Sequence, residues 1–385
     1  MNSQVLYRKY RPKTFSEVVG QEHIIRTLKN ELEAESVSHA YLFCGPRGTG
    51  KTTVARLLAK ALNCRNRRQG ESEPCNQCDF CLEINEGRAI DLIEIDAASN
   101  RGIDEIRQLK EGIGFIPVKS KYKVFIIDES HQLTKEASNA LLKTLEEPPA
   151  HAVFILATTE SHKMIPTIVS RCQRFDFRKL RVEEITKRLA KILEREKISF
   201  EPEALALIAF SAGGAQRDAE SMLEQVISFC GFDKKIEKKE VEELLGLVER
   251  EIILRFLEYL SQKNAKEAVE LLNSALFSGV DPAEFSKSLI RMLRELLFFK
   301  INPQPSNSLI LELTEEERRG LANLANRFSE RELKEIINQF VLADQKVKFA
   351  SIPQLPLELA VVEVCQQKKN EEEKKEFNFK KLELF

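Results

Sequence analysis

The stretch "YLFCGPRGTGKT", residues 41–52, opens with four apolar residues and closes on a glycine-rich turn that leads into a helical pattern, Thr52–Leu62. Gly45–Thr52 fits G-x-x-x-x-G-K-[ST], and the strand before it and helix after it are the context that this motif requires. Gly45 and Gly50 allow the backbone to approach a phosphate closely, and Gly48 adds freedom between them. With Pro46, Arg47 and Thr49 they form a loop whose N–H groups, together with the helix N-terminus, attract an anion. Lys51 is expected to reach the β- and γ-phosphates of a nucleoside triphosphate, and Thr52 to ligate Mg²⁺.

Working outward, further apolar runs alternate with helical patterns: "DLIEID" (91–96), "YKVFIID" (122–128), "AVFILATT" (152–159) and "RFDF" (174–177). Each is nearly continuous rather than alternating, as expected of strands buried on both faces of a parallel sheet. The helical pattern Thr134–Glu147 ends at Pro148-Pro149, where a helix cannot continue. The expectation is an α/β fold through residue 178. After residue 179 only helical patterns follow. Three lie in 181–230, with Pro202 near the first turn of the second and Gly213-Gly214 before the third. The linker "GFDKKIEKKE" separates them from further helices over 241–367, and 368–385 is a charged tail.

A phosphate site also needs a carboxylate for its metal. "VFIIDES" places Asp128 at the carboxyl end of an apolar run, where open α/β sheets bind ligands. Asp128 is expected to hold Mg²⁺ through water, and Glu129 to orient or deprotonate an attacking water. His131 is read as structural.

The 385 residues suffice for two or three domains, and 43% hydrophobic with 31% charged residues can bury real cores. A formal net charge of −1 excludes a globally basic nucleic-acid binder, so DNA contact must come from a local patch. "MNSQVLYRKYRPK" carries no cleavage signal and no run approaches a bilayer span, so a cytoplasmic protein without membrane contact is expected. There thiols stay reduced, and clustered cysteines suggest metal before disulfide. Four of the eight cysteines, Cys64, Cys75, Cys78 and Cys81, fall in "CRNRRQGESEPCNQCDFC". Zinc, an iron–sulfur group and unbound thiols all fit that spacing. The intervening loop is too polar to hold itself in shape, so ligation would fix it to the core. Cys44, Cys172, Cys230 and Cys365 are expected to be buried as small hydrophobes.

Gly45–Thr52 with Asp128-Glu129 resembles the AAA+ ATPases, and "SRC" (170–172) with "GGAQRDA" (213–219) resembles their clamp-loader branch. "YRKYRPKTFSEVVGQE" (7–22), "DLIEIDAAS" (91–99), "NALLKTLEEPP" (139–149) and the cysteine cluster resemble the gamma/tau subunits of the bacterial DNA polymerase III clamp loader. The resemblance implies an AAA+ nucleotide-binding α/β domain over 1–178 with a zinc-binding insertion at 64–81, a helical lid over 179–240 and a helical collar for oligomerisation over 241–367. It implies ATP and Mg²⁺ as ligands, and it selects zinc for the four cysteines. Thr159, with Thr158 as rival, matches the sensor of the γ-phosphate. Arg171 matches the arginine finger that reaches a neighbouring subunit's ATP, and Arg217 the second sensor. Arg11 and Pro12, with Val18–Gln21, match the segment bordering adenine.

The implied function is an ATP-driven motor that loads a sliding clamp onto primed DNA. Implied partners are delta and delta-prime type subunits, copies of the chain itself, the clamp, and DNA held by its backbone. Asn100 and Arg101 are phosphate-contact candidates, with capping by Ser99 or Asn100 the alternative. Other readings are a different AAA+ DNA-processing ATPase, for branch migration or recombination, and a non-catalytic scaffold subunit. No separate carboxylate set for nucleotidyl transfer is visible, so no polymerase site is expected. The family's longer form continues into domains that bind the polymerase core and the helicase, and those contacts stay open for a chain of 385 residues. The terminal "LELF" resembles the end of the short peptide by which bacterial proteins bind the sliding clamp, with Lys381 in place of its leading glutamine, which implies a clamp-binding tail; an apolar terminus docked on its own chain is the alternative.

Overall fold

A computed structural model of the chain describes residues 4–99, 112–231, 234–246, 248–302 and 315–366. Asn100, Arg101 and the tail 368–385 lie outside the described residues. The chain divides into two compact units, Met1–Val241 and Glu242–Phe385.

In the first unit five parallel strands form one sheet: β1 (Ala40–Cys44), β2 (Leu92–Asp96), β3 (Lys123–Asp128), β4 (Ala152–Thr158) and β5 (Gln173–Asp176). Their order is β2-β3-β4-β1-β5, so β4 lies between β1 and β3. Side chains alternate across the sheet plane. Tyr41, Phe43, Val124, Ile126, Val153 and Ile155 face a layer that includes Leu28, Leu32, Val54, Leu57 and Leu58. Leu42, Phe125, Ile127, Phe154 and Leu156 face Ala137, Leu141 and Leu145. Because helices cover both faces, the runs read as continuous rather than alternating. Burial on both faces holds for β1, β3 and β4 but not for β2 and β5, whose residues are mostly half-exposed or exposed. Those two are the sheet's edges, each paired on one side only.

Local chemistry sets the boundaries. Helix Lys51–Leu62 starts directly behind Gly50, whose φ of 104° suits glycine. Helix Lys135–Glu146 is capped by Thr134, which accepts from Ala137 N at 3.2 Å. Three helices follow the sheet, Val182–Glu196, Pro202–Ser211 and Gln216–Cys230. Beyond residue 179 the described residues hold one isolated bridge, Phe200 to Ile236, and no strand.

The second unit is helical, from Arg250–Ser261, Ala265–Phe277 and Pro282–Ile301 through Glu330–Val347 to a helix over 355–366. Phe256 is its centre, with edge-on rings of Phe285 at 5.2 Å and Phe340 at 6.1 Å. Phe256, Leu257, Leu289, Leu293 and Leu296 prove to be internal core, while Phe277 is 98% and Phe349 89% exposed. Among the described residues no helix is long and apolar enough to cross a membrane. Cys44, Cys230 and Cys365 are buried as expected of small hydrophobes, and Cys172 is half-buried.

Candidate functional site

The carboxyl ends of β1, β3 and β4 lie together, and each delivers one part of a cleft. The register sets Cys44 beside Thr158, and Gly45 N then donates to Thr158 O at 3.1 Å. The loop 45–52 rises from β1, and Asp128-Glu129 from β3. The cleft is lined by Arg47–Thr53, Asp128, Glu129, Arg11, Pro12, Glu17, Val18, Val19, Leu180 and Arg217, among others.

The loop is packed from behind. A side chain at Gly45, where φ is 146°, would meet Phe177 O at 2.4 Å. Gln21, fully buried, donates to Thr49 O at 3.4 Å and Arg178 O at 2.8 Å, tying the loop to the exit of β5. Lys51 Nζ donates to Gly45 O at 2.7 Å and Pro46 O at 2.9 Å, and burial pulls its pKa down. Thr52 Oγ1 donates to Asp128 Oδ2 at 2.7 Å, while Asp128 Oδ1 accepts from Glu129 N at 2.9 Å. A hydroxyl and a carboxylate meeting at the helix N-terminus are hard oxygen donors that suit Mg²⁺ beside a phosphate.

Glu129 adopts a left-handed backbone, φ 47°. Its Oε2 accepts from Thr159 Oγ1 at 2.8 Å. Thr158, the rival, turns its hydroxyl to His131 Nδ1 at 2.9 Å. Thr159 therefore reaches the cleft through Glu129, and His131 braces the end of β4. Arg171 does not line the cleft. Its Nη2 donates to Glu146 Oε1 at 2.6 Å and its Nη1 to Thr167 O at 2.8 Å, with a third of the side chain exposed.

The far wall comes from the three helices. Arg217 stacks over Tyr7, 4.8 Å from the ring centroid, and its hydrogen bond holds the Tyr7 hydroxyl below the usual phenol range. Gln216 N donates to Gly48 O at 3.0 Å, and a side chain at Gly48 would meet the Ala215 methyl at 2.9 Å. Buried Arg188 pairs with buried Glu220 at 3.6 Å and donates to Tyr10 O. Burial pushes the Glu220 carboxyl up and the Arg11 guanidinium down. Gln21 lies in the segment Val18–Gln21 singled out from the sequence, whereas Tyr7, Arg188, Gln216 and Glu220 were missed by sequence reasoning. Tyr7 opens the stretch 7–22 and Gln216 directly precedes Arg217, but no spacing rule marks Arg188 or Glu220.

Cys64, Cys75, Cys78 and Cys81 offer sulfurs that all lie within 4.8 Å of one another. The Cys75 and Cys81 sulfurs are 3.9 Å apart, which suits the edge of a tetrahedron with ~2.3 Å metal–sulfur bonds. Burial raises the Cys75 thiol, but N–H groups of Gln77 and Cys78 outweigh it and bring its pKa down to about 6. Burial pushes Cys64 and Cys81 up. Four crowded soft donors of this kind can hold a metal ion. The loop between them is not the unsupported segment that its polarity suggests. Arg67 donates to Ala61 O, Leu32 O and Glu71 O at 2.8, 3.1 and 2.7 Å, which makes it an internal strut rather than a solvated base.

Residues 20–181 match a family model described as DNA polymerase III, delta subunit. Residues 184–232 match the DNA polymerase III clamp loader subunit, ATPase lid domain, and 236–377 match DNA polymerase III subunits gamma and tau domain III. DNA polymerase III subunit tau of Bacillus subtilis (strain 168) is 44% identical over 366 residues, covering 95% of this chain and 64% of that one. Subunit tau of Escherichia coli (strain K12) is 42% identical over 303 residues, covering 79% and 46%. DNA polymerase III subunit gamma of Buchnera aphidicola subsp. Acyrthosiphon pisum (strain APS) is 38% identical over 367 residues, covering 94% and 99%. The chain thus spans 64% and 46% of the two tau relatives and nearly all of the gamma relative.

Proposed function

The chain belongs to the gamma and tau subunit family of DNA polymerase III, and on that premise we propose that it is an ATP-hydrolysing motor subunit of the clamp loader. The observation that carries this is the meeting of Thr52 with Asp128, 2.7 Å apart, in a cleft that Lys51, Glu129 and Arg217 also line.

In this reading the N–H groups of 45–52 cradle the phosphates. Lys51 exchanges its two carbonyl partners for β- and γ-phosphate oxygens. Thr52 and Asp128 hold Mg²⁺, which when bound neutralises charge between the phosphates. Glu129 positions water, and Thr159, bonded to it, reports the γ-phosphate. Arg217 leaves Tyr7 for the nucleotide and so couples the lid to it, while Arg11 and Pro12 border the base. Arg171 lies off this chain's own cleft and on the surface, which supports its acting on a neighbouring subunit's ATP. Cys64, Cys75, Cys78 and Cys81 hold zinc in a closed structural site.

The partners in this reading are delta and delta-prime type subunits, further copies of the chain, the sliding clamp and primed DNA, in the cytoplasm. The test is ATP hydrolysis by the assembled subunits with and without clamp and primed DNA. Stimulation by both, lost in a Glu129→Gln chain, is expected; hydrolysis indifferent to both would overturn the clamp-loading role.

A further inference from the structure

The cysteine module and the cleft share a segment of chain. Two buried or half-buried side chains of the module region end on residues 13–16. Glu73 accepts from Phe15 N at 2.7 Å, Ser16 N at 3.0 Å and Ser16 Oγ at 2.6 Å, and pairs with Lys29 at 2.6 Å. Lys60, 2% exposed, divides its three protons among Lys13 O at 3.1 Å, Asn76 Oδ1 at 2.7 Å and Asn85 Oδ1 at 2.7 Å. Residues 13–16 run between two stretches that line the cleft, Arg11-Pro12 and Glu17–Val19. Phe15, 1% exposed, anchors the middle in the core.

We infer that Glu73 and Lys60 are positioning residues for the nucleotide cleft, so that a metal held by the four cysteines and a nucleotide in the cleft favour each other's binding. This rests on reading the cleft as a nucleotide site. Glu73 and Asn76 sit between Cys64 and Cys78 in chain without helix or strand, and Asn76 holds φ 56°, a conformation that costs energy unless its surroundings fix it. Metal ligation at Cys75 and Cys78 fixes the backbone on both sides of Asn76 and two residues beyond Glu73. Without it, Asn76, one of the three acceptors of Lys60, and the three bonds from Glu73 to Phe15 and Ser16 lose their support, and the N-terminal wall of the cleft loosens. Coupling of this kind is reciprocal: whatever factor zinc adds to nucleotide affinity, nucleotide adds to zinc affinity.

The test uses the full chain, zinc as the metal and a non-hydrolysable ATP analogue as the probe. Three quantities are read: analogue affinity, metal content, and hydrogen exchange over residues 12–19 without nucleotide. Removing zinc with a chelator should weaken the analogue roughly five-fold or more and speed exchange over 12–19, and returning zinc should restore both. Glu73→Ala should weaken the analogue to a similar degree while one metal stays bound. Glu73→Gln, which keeps the volume, serves if the alanine chain does not fold. Analogue affinity indifferent to zinc, or unchanged in a Glu73 variant that keeps its metal, overturns the inference. A chain that binds no analogue while exchange over 12–19 still answers to zinc would instead overturn the reading of the cleft and leave the joint standing.

Discussion

The floor and the walls of the cleft are built on different terms. The floor is one run of consecutive residues, Gly45–Thr52, in which, on the proposed reading, backbone N–H groups and one lysine meet the phosphates. The walls are assembled from segments far apart in the chain, near 7–19, 180–188 and 216–220. They are held by side chains: Leu6 N to Glu224, Tyr10 Oη to Glu196 at 2.7 Å, Arg188 to Glu220 and to Tyr10 O. The floor touches the lid only at Gly48, through Gln216 N and the Ala215 methyl, among the contacts described above. A wall exists only while the lid and the N-terminal segment are docked, so a ligand that touches both must sense lid position.

The sharpest way to break this picture is at a residue belonging to neither. Arg171→Ala should cut hydrolysis in the assembled complex by about 10³-fold or more and leave analogue affinity unchanged; an equal loss in an isolated chain would mean that the finger acts in cis. Next is the floor. Lys51→Ala should weaken nucleotide by on the order of 100-fold in a binding titration, and thermal unfolding should show the walls undisturbed.

The hinge between sheet and lid comes third. Arg178 grips Glu184 with two bonds, 2.7 and 3.0 Å, and holds its carboxyl at about 2 against an ordinary 4.5. A depressed carboxyl stabilises the fold above its ordinary value and loses that contribution as pH falls from 4.5 toward 2. Arg178 is 38% exposed and solvent screens the pair, so denaturant titrations of Glu184→Gln should show a loss of about 1 kcal/mol at neutral pH, shrinking against the parent chain under acid. The smallest effect is expected at Tyr7. Tyr7→Leu removes the ring over which Arg217 stacks, so analogue affinity should shift only about five-fold in either direction.

The same division explains what was legible in advance. The five strands and the phosphate loop could be read because their signals are local: apolar runs, a fixed glycine spacing, Pro148-Pro149 after a helix. The four cysteines were legible for the same reason. Arg188 and Glu220 were not, because each is an ordinary helix residue until the fold buries the pair together. Lys60 sits in an amphipathic helix where a lysine reads as solvated, yet it is 2% exposed, since the module folds over it. The loop after Cys64 looks shapeless in sequence because its anchors, Leu32 and Glu33, lie on an earlier helix. Edge exposure of β2 and β5 follows from strand order, which composition does not encode.

The Ala215 methyl stands 2.9 Å from where any side chain at position 48 would begin, and Gln216 N is bonded to the Gly48 carbonyl. Drift is therefore constrained from one side. A methyl gained at 48 is strained at its φ of 77° even with glycine at 215, so the codon at 48 should stay glycine whatever stands at 215.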